Sequence, residues 1–588
     1  MRTLFLGLTL AALVLCPACG KKARIVVVEG AEAGTAPILE RKEEGKKEDI
    51  GLWDASAVDG DMVVGPVTYA YLKPEEGAEP KRGGTVRCAL LQDIDSLNPF
   101  LSQSSSAHEV QEQIFPRLMN EEPNFYDGVP TFTPKIAESW EIAPDNLSIR
   151  FKLRDCNWSD GEPIKADDVR FAWQAAKSPD VAWVGASIVD FIDDIEIHND
   201  REFTVKYTKP TPYNIMDIND VPIIPKHTFG TVPFGKWSGY PDWAKLSIKA
   251  CGGAWVLEEH LPNQEIRLKP NPEYWDKGKP YLDGLTFVIF GNQESMLNAL
   301  LAGDIDILSP VRPVKAARVL EDKKLYLFSC VDRSYGYAGW NCKRFPFDDV
   351  RVRRAMTLAI NRQDIVEGEY YGYGEVAAPA LIRALWASDP DIEPMPYDPS
   401  QAERLLTEAG WKKGADGILV KDGKRLAFKM MINTGNAQRK SIATRIQSDL
   451  AKIGAKVELE VVDYNQMSAR LKQHDFESYV GGWNIATKVD PKPTFHSVSA
   501  NGRYNFVNYT DPFVDSLIDR GRIMNISDPA IRKEAEDVWK AFQQRLHYDQ
   551  PYTMIVEIRK LTGVNKRLRN VRVSALKWLD NVASWWIE

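Results

Sequence analysis

Histidine and cysteine are scarce in this chain of 588 residues, seven of each, and neither falls into a catalytic or metal-binding pattern. His108, His198, His227, His260, His474, His496 and His547 never stand as HExxH or HxH, which removes the helix-borne zinc-hydrolase arrangement. Beyond Cys19, the cysteines Cys88, Cys156, Cys251, Cys330 and Cys342 contain no CxxC pair, so a structural zinc site has no ligand set to start from. No GxSxG elbow offers a serine nucleophile, and no GxxxxGK[S/T] loop cradles nucleotide phosphates. The sequence therefore displays no catalytic residues, no metal ligands and no cofactor motif. Charge of one sign is lacking too: 74 basic against 82 acidic residues leave a formal charge of -8, the wrong balance for a nucleic-acid partner. After the first 15 residues no uncharged apolar run approaches the roughly 20 residues of a membrane span.

What is present begins at the amino terminus. Arg2 precedes the apolar run Leu4 to Leu15, followed by Cys16, Pro17, Ala18, Cys19 and Gly20, the layout of an export signal over residues 1–19. It resembles a bacterial lipoprotein signal, with small Ala18 ahead of Cys19 as the lipid-bearing residue; bulky Leu15 argues against Cys16 in that role. The resemblance implies a periplasmic or cell-surface protein held at the membrane through Cys19. An exported protein meets a disulfide-permissive compartment. Five cysteines leave one unpaired; Cys330 and Cys342 flank a predicted hairpin, and Cys88 and Cys251 are candidates for neighbouring strands, so both pairings are considered.

A chain of this length exceeds a single hydrophobic core and divides into lobes. Residues 20–82 hold clusters such as ERKEEGKKED and KPEEGAEPKRGG, and this charge-, glycine- and proline-rich composition predicts a flexible tether. Within it, MVVGPVTYAY at Met62 to Tyr71 is apolar enough to pair as strands or dock on the body. From Gly83 the pattern becomes α/β. The alternation of Thr85 to Leu91 predicts a strand, and helices are predicted over Val350 to Ala359, Pro399 to Ala409, Gln438 to Ile453 and Asp528 to His547. The helix, glycine stop and strand from Arg439 to Val462 read as a βαβ-like element over a largely parallel sheet. Asp167 with Asp168, and Asp348 with Asp349, are read as helix-capping charges rather than acid-base pairs. Most of the 17 tryptophans are read as core.

Several longer blocks carry more information: KRGGTVRCALLQDIDSLNPF; IAESWEIAPDNLSIRFKLRDCNWSDGEPIKADDVRFAW from Ile136 to Trp173; IIPKH; NPEYWDKGKPYLDGLTF; LLAGDIDIL; FDDVRVRRAMTLAINRQDIV; YDPSQAERLLTEAGW; and YTDPFVDSLID. In the second block Ile149, Phe151 and Leu153 alternate inward, Asp160 and Gly161 turn the chain, and a helix starts at Ala166. In order and content these blocks resemble the family 5 extracellular solute-binding proteins, the oligopeptide- and dipeptide-binding subunits of ABC importers. The resemblance implies a periplasmic-binding-protein-like fold of class II, with two large lobes around a ligand cleft and an inserted subdomain. It places lobe I at 83–115, 226–320 and 556–588, the subdomain at 116–225 and lobe II at 321–555. It also implies a monomer that binds a peptide or similarly sized solute and hands it to permease subunits, without chemistry and without a cofactor.

Site residues follow from the same likeness. Peptide-binding members carry a Gly-Trp segment with an aspartate three residues after the tryptophan, facing the peptide ammonium. Here GGWNIATKVDPKPTF puts Trp483 at the tryptophan and Ala486 where the aspartate would stand. Either Asp490 reaches in from its displaced position, or the ligand lacks a free amino end. Trp483 is expected as an aromatic wall, Asn484 as a hydrogen-bonding group and Asp490 as a cation partner, with Trp340 and Asn341 bordering the cleft and Ser105 and Ser106 on the opposing side. Rival readings are the same fold holding an oligosaccharide, opine-like compound or metal chelate; an exported glycan or cell-wall hydrolase; and a sensory subunit.

Overall fold

The structure, a computed structural model, describes residues 69–588 except 73, 75, 76, 103, 242, 244–248, 378, 379, 502 and 503. Of the first 68 residues it gives only the backbone of three short strands, Leu13–Leu15, Lys22–Val26 and Ile38–Glu40. The expected lipid site Cys19 and most of the predicted tether lie outside the described residues. Among those described, no helix is long and apolar enough to cross a membrane.

Local sequence explains the elements directly. Ile149, Phe151 and Leu153 are fully buried along the strand Ser148–Leu153, while Arg150 and Lys152 face out, the period-2 pattern of a half-buried strand. Phe151 stacks on Phe203 of the adjacent strand Glu202–Tyr207, ring centroids 5.2 Å apart. These strands, with Ala137–Ile142 and Ile192–Asn199, form a separate four-stranded antiparallel sheet. Helix Val350–Ala359 begins where the Asp349 side chain accepts from Arg351 N, and helix Pro399–Glu408 where Asp398 accepts from Gln401 N. Such caps satisfy amides that the first turn leaves open. Asp167 and Asp168 lie in the first turn of helix Ala166–Lys177, and Asp168 accepts from Lys165 N and Lys226 N.

The principal sheet has eleven strands and passes through the whole body. Its order is Trp255–Leu261, Glu265–Pro270, Gly284–Ile289, Thr85–Leu90, Ile307–Leu308, Tyr552–Asn565, Leu325–Trp340, Ser478–Asn484, Ala427–Asn433 and Lys456–Val462, with Gly374–Glu375 beside Tyr552–Asn565. The sheet is mixed rather than largely parallel. Thr85–Leu90 has parallel neighbours, as does Ala427–Asn433, whereas the central pair Leu325–Trp340 and Tyr552–Asn565 is antiparallel. The helix Ala437–Lys452 between parallel strands Ala427–Asn433 and Lys456–Val462 is a βαβ crossover.

Those two long central strands connect the halves of the molecule. They pair from Leu325 with Asn565 to Gly339 with Tyr552, with register breaks between Val331 and Tyr335 and between Gly336 and Tyr337. At the start of the described chain, Tyr69–Leu72 pairs antiparallel with Val571–Ser574, so the end of the apolar stretch docks on the carboxy-terminal segment.

All five described cysteines are free thiols, which corrects both pairings considered above. Cys330 and Cys342 flank no hairpin. One strand, Leu325–Trp340, runs on between them, so they stand on the order of 30 Å apart at about 3.3 Å per residue. Cys88 is three strands from Trp255–Leu261, which Cys251 precedes, roughly 14 Å at normal strand spacing and beyond disulfide reach.

One buried carboxylate ties together three distant parts of the first half. Asp306, 1 % exposed, accepts from Arg87 N at 3.0 Å and from Arg567 Nε and Nη2 at 2.6 and 2.8 Å. Its own amide donates to Arg87 O, and its carbonyl accepts from Asn565 N. Asp306→Ala should lower unfolding stability by roughly 2–3 kcal/mol, the cost of stranding buried donors. Urea denaturation should show a lower midpoint with an unchanged slope; an unchanged midpoint would remove Asp306 as the tie.

Candidate functional site

A cavity of about 670 Å³ lies over the crossing strands, between the two halves. Its walls come from the end of helix Ser105–Ile114 and the residues after it, helix Asn214–Asn219, the register break at Arg333 to Tyr335, the segment from Trp483 to Phe495, and Leu576 with Lys577. Widely separated parts of the sequence therefore converge on one space of a size suited to a small solute.

Trp483 forms an aromatic wall. Its ring stacks against Phe506 at 5.5 Å and Tyr337 at 6.2 Å and meets Tyr504 edge-on at 5.5 Å. The glycines before it have a physical reason. A Cβ at Gly481 would sit 2.9 Å from the Tyr337 hydroxyl, and one at Gly482 3.1 Å from Tyr335 O; only bare backbone lets this strand approach the crossing strand so closely. Trp483 Nε1 is buried and has no hydrogen-bond partner among the described residues. Asn484, next along, lines the cavity and is exposed.

The remaining expected residues are placed differently. Asp490 is on the cavity wall, but its carboxylate holds Arg522 through Nε at 2.7 Å and Nη2 at 2.8 Å and also accepts from Lys492 N. The chain thus supplies its own cation for Asp490. Trp340 and Asn341 are core residues rather than cleft residues. Trp340 is fully buried against Phe347 at 4.8 Å and donates to Thr553 Oγ1, and Asn341 donates to the carbonyls of His474 and Phe476. Ser105 and Ser106 sit off the cavity in the first turn of their helix, Ser105 exposed and Ser106 buried. The same helix reaches the cavity two turns later, at Glu112.

Sequence reasoning missed a set of charged residues that dominates the walls. Glu112 accepts from Arg117 and pairs with Lys577 at 3.0 Å. Burial opposes its ionisation, but Arg117 and Lys577 outweigh that and hold the carboxyl well below the usual range. Asp217 pairs with Lys488 at 3.0 Å, and the Lys488 ammonium also stands 5.8 Å from the Tyr213 ring and 6.0 Å from Phe191. Burial here wins over Lys488 and pushes Asp217 up to about 7. Burial raises Asp220 and Glu121 as well. Lone charges at irregular spacing give no signal in sequence; only Lys488, inside the Gly-Trp segment, was within a stretch already singled out.

The sign of the Asp217 effect is fixed by burial. In the unfolded chain an aspartate releases its proton near pH 4, and in the folded chain Asp217 does so near pH 7. Its contribution to stability is therefore full below about pH 4 and is lost as pH rises through about 7. Asp217→Asn should flatten the decline of the urea midpoint between pH 4 and pH 7; equal slopes in both proteins would mean that Asp217 is ionised throughout.

With the geometry established, likeness to known proteins is informative. The profile of the bacterial extracellular solute-binding proteins, family 5 Middle, matches residues 131–506. The chain is 28 % identical over 522 residues to the oligopeptide-binding protein AppA of Bacillus subtilis, covering 87 % of this chain and 93 % of that one. It is 25 % identical over 509 residues to the dipeptide-binding protein of Escherichia coli, covering 82 % and 91 %. The solved structure of B. subtilis AppA with a nonapeptide superposes with a TM-score of 0.72 at 27 % identity, over 87 % of this chain and all of the other. With the profile covering well over half the chain and the two-lobed α/β fold around an open cavity, this protein belongs to the bacterial extracellular solute-binding proteins, family 5.

Proposed function

We propose that this chain is the extracytoplasmic peptide-binding subunit of an ABC importer, capturing its ligand between the lobes and delivering it to the permease without altering it. The observation that carries this reading is the cavity over the crossing strands with Trp483 as its aromatic wall. A peptide bound there makes main-chain hydrogen bonds to Asn484 and the strand ends, while open space accepts varied side chains. The register breaks at Val331 to Tyr337 form the hinge on which the lobes close over the ligand. Cys19 carries a lipid that keeps the mature monomer at the membrane.

The departure at Ala486 supports a second reading, a non-peptide solute in the same cavity. Ala486 lines the wall without a carboxylate, and the next charged side chain along the segment is Lys488, paired with Asp217. Native mass spectrometry of the purified protein, followed by identification of the released molecule, separates the two. A ladder of short peptides is expected, and a single non-peptide compound would overturn the peptide reading. Trp483→Ala should weaken peptide binding by about tenfold or more, since a stacked aromatic wall contributes on the order of 1–2 kcal/mol; titration calorimetry showing unchanged affinity would remove Trp483 from the site. Cys19→Ser should release the protein from the membrane fraction into the soluble one. Retention in the membrane fraction would refute the anchor.

A further inference from the structure

The charges around the cavity are not evenly matched. Glu112 is shared by Arg117 and Lys577, Asp217 belongs to Lys488, and Asp490 is held by Arg522. Glu121 and Asp220 also line the cavity without an ion-pair partner among the described residues, and Arg333 is the one lining cation in that state. It lines the cavity at the register break of the crossing strand. Among the described residues its guanidinium donates only to the carbonyls of Ile485 at 3.2 Å and Ala575 at 3.4 Å. Among the described residues no carboxylate lies within ion-pairing distance of it, and the acids that feel its charge from further away are Glu121 and Asp220. Ile485 stands three residues before Lys488, so Arg333 and the Lys488 pair occupy adjoining parts of one wall.

A guanidinium fixed by two carbonyls is oriented but not neutralised. Its planar fork matches the two oxygens of a carboxylate, and a cation in a closing cavity gains most from a counter-charge that arrives with the ligand. Arg333 also sits where the strands cross between the lobes, so a ligand group bound to it engages the hinge directly. Trp483, whose buried Nε1 has no hydrogen-bond partner among the described residues, lines the same cavity.

We propose that Arg333 is the receptor for a carboxylate on the solute, with Lys488 beside it, and that the cavity selects acidic ligands over neutral ones. This rests on the peptide reading and names the ligand chemistry within it. The carboxylate belongs either to the peptide terminus or to an acidic side chain, and the probes distinguish them.

The test uses three pentapeptides: pentaalanine with a free carboxyl end, pentaalanine amide, and the amide of Ala-Ala-Glu-Ala-Ala. Affinities are measured by titration calorimetry for the full chain and for Arg333→Gln and Arg333→Lys. The expected result is at least about tenfold tighter binding of one or both acidic peptides than of the neutral amide. The free-carboxyl peptide identifies a terminal carboxylate, and the glutamate amide an acidic side chain. Arg333→Gln should reduce that ratio to within about threefold of unity, and Arg333→Lys should keep part of it. A purely structural role for Arg333 would weaken all three peptides equally and leave the ratio intact, which overturns the proposal. A ratio near unity in the unsubstituted protein overturns it without any variant, even if Arg333→Gln does not fold. If the unsubstituted protein binds no peptide, the peptide reading fails, and the co-purifying solute decides. An acidic solute lost on Arg333→Gln sustains the carboxylate site, whereas a neutral or cationic solute overturns it.

Discussion

The architecture depends on one antiparallel pair, Leu325–Trp340 against Tyr552–Asn565, which is the backbone connection between the halves of the principal sheet. A sixteen-residue strand paired with a fourteen-residue one is longer than either half needs, because each strand serves one half at one end and the other half at the other. The pairing is broken where the halves meet. Residues between Val331 and Tyr335 leave the pairing with Tyr552–Asn565, and Arg333 within that break and Tyr335 at its end line the cavity wall. Pairing is regular at both ends and irregular in the middle, where the break bends the strand next to the cavity.

A half built from separated stretches of chain needs ties between them, and these are both polar and apolar. Asp306 binds the first strand of the body to the segment after the last long strand through Arg87 and Arg567. Around Trp237, the rings of Phe229, Phe234 and Trp243 pack within 6.2 Å centroid to centroid, and the tryptophan indole donates to Val232 O. Burying so many large rings supplies the apolar area that this loop-rich stretch otherwise lacks. Most of the tryptophan content is thereby explained as core, with Trp483 on the cavity an exception.

Where the sequence was legible, local physics decided the outcome. Helix Val350–Ala359 has the expected bounds because a capping aspartate precedes it, and strand Ser148–Leu153 follows its alternation because one of its faces is buried. Trp483 was legible through a Gly-Gly-Trp run whose glycines are required by close strand approach. Tertiary arrangement was not. The crossing strand looks like a hairpin in sequence because Ser334, Gly336 and Gly339 interrupt its apolar pattern, yet those small residues mark a break and a close approach inside one strand, and Cys330 and Cys342 end far apart. Trp340 and Asn341 follow the same strand to the point where it enters the second half, and there the environment is core. The charged wall was invisible for the same reason: Glu112, Asp217, Arg333, Lys488 and Lys577 are each separated from the next by 89 to 155 residues and become neighbours only in the fold.

That wall sets the polarity of whatever binds. Two like charges 4 Å apart repel by about 4 kcal/mol at the effective dielectric of a partly buried site. With Ala486 in place of a carboxylate, Asp490 committed to Arg522 and Asp217 to Lys488, an ammonium near the Gly-Trp segment would meet Arg333, which has no ion-pair partner among the described residues. The ammonium's counter-charge has to come from Glu121, which accepts from Thr487 of the same segment at 2.8 Å, or from Asp220. Burial raises both of these acids, so they ionise most readily when a cation arrives beside them. A ligand carrying both charges would then set its acid against Arg333 and its ammonium against Glu121 or Asp220, an orientation imposed by the charges of the walls rather than by the aromatic surface between them.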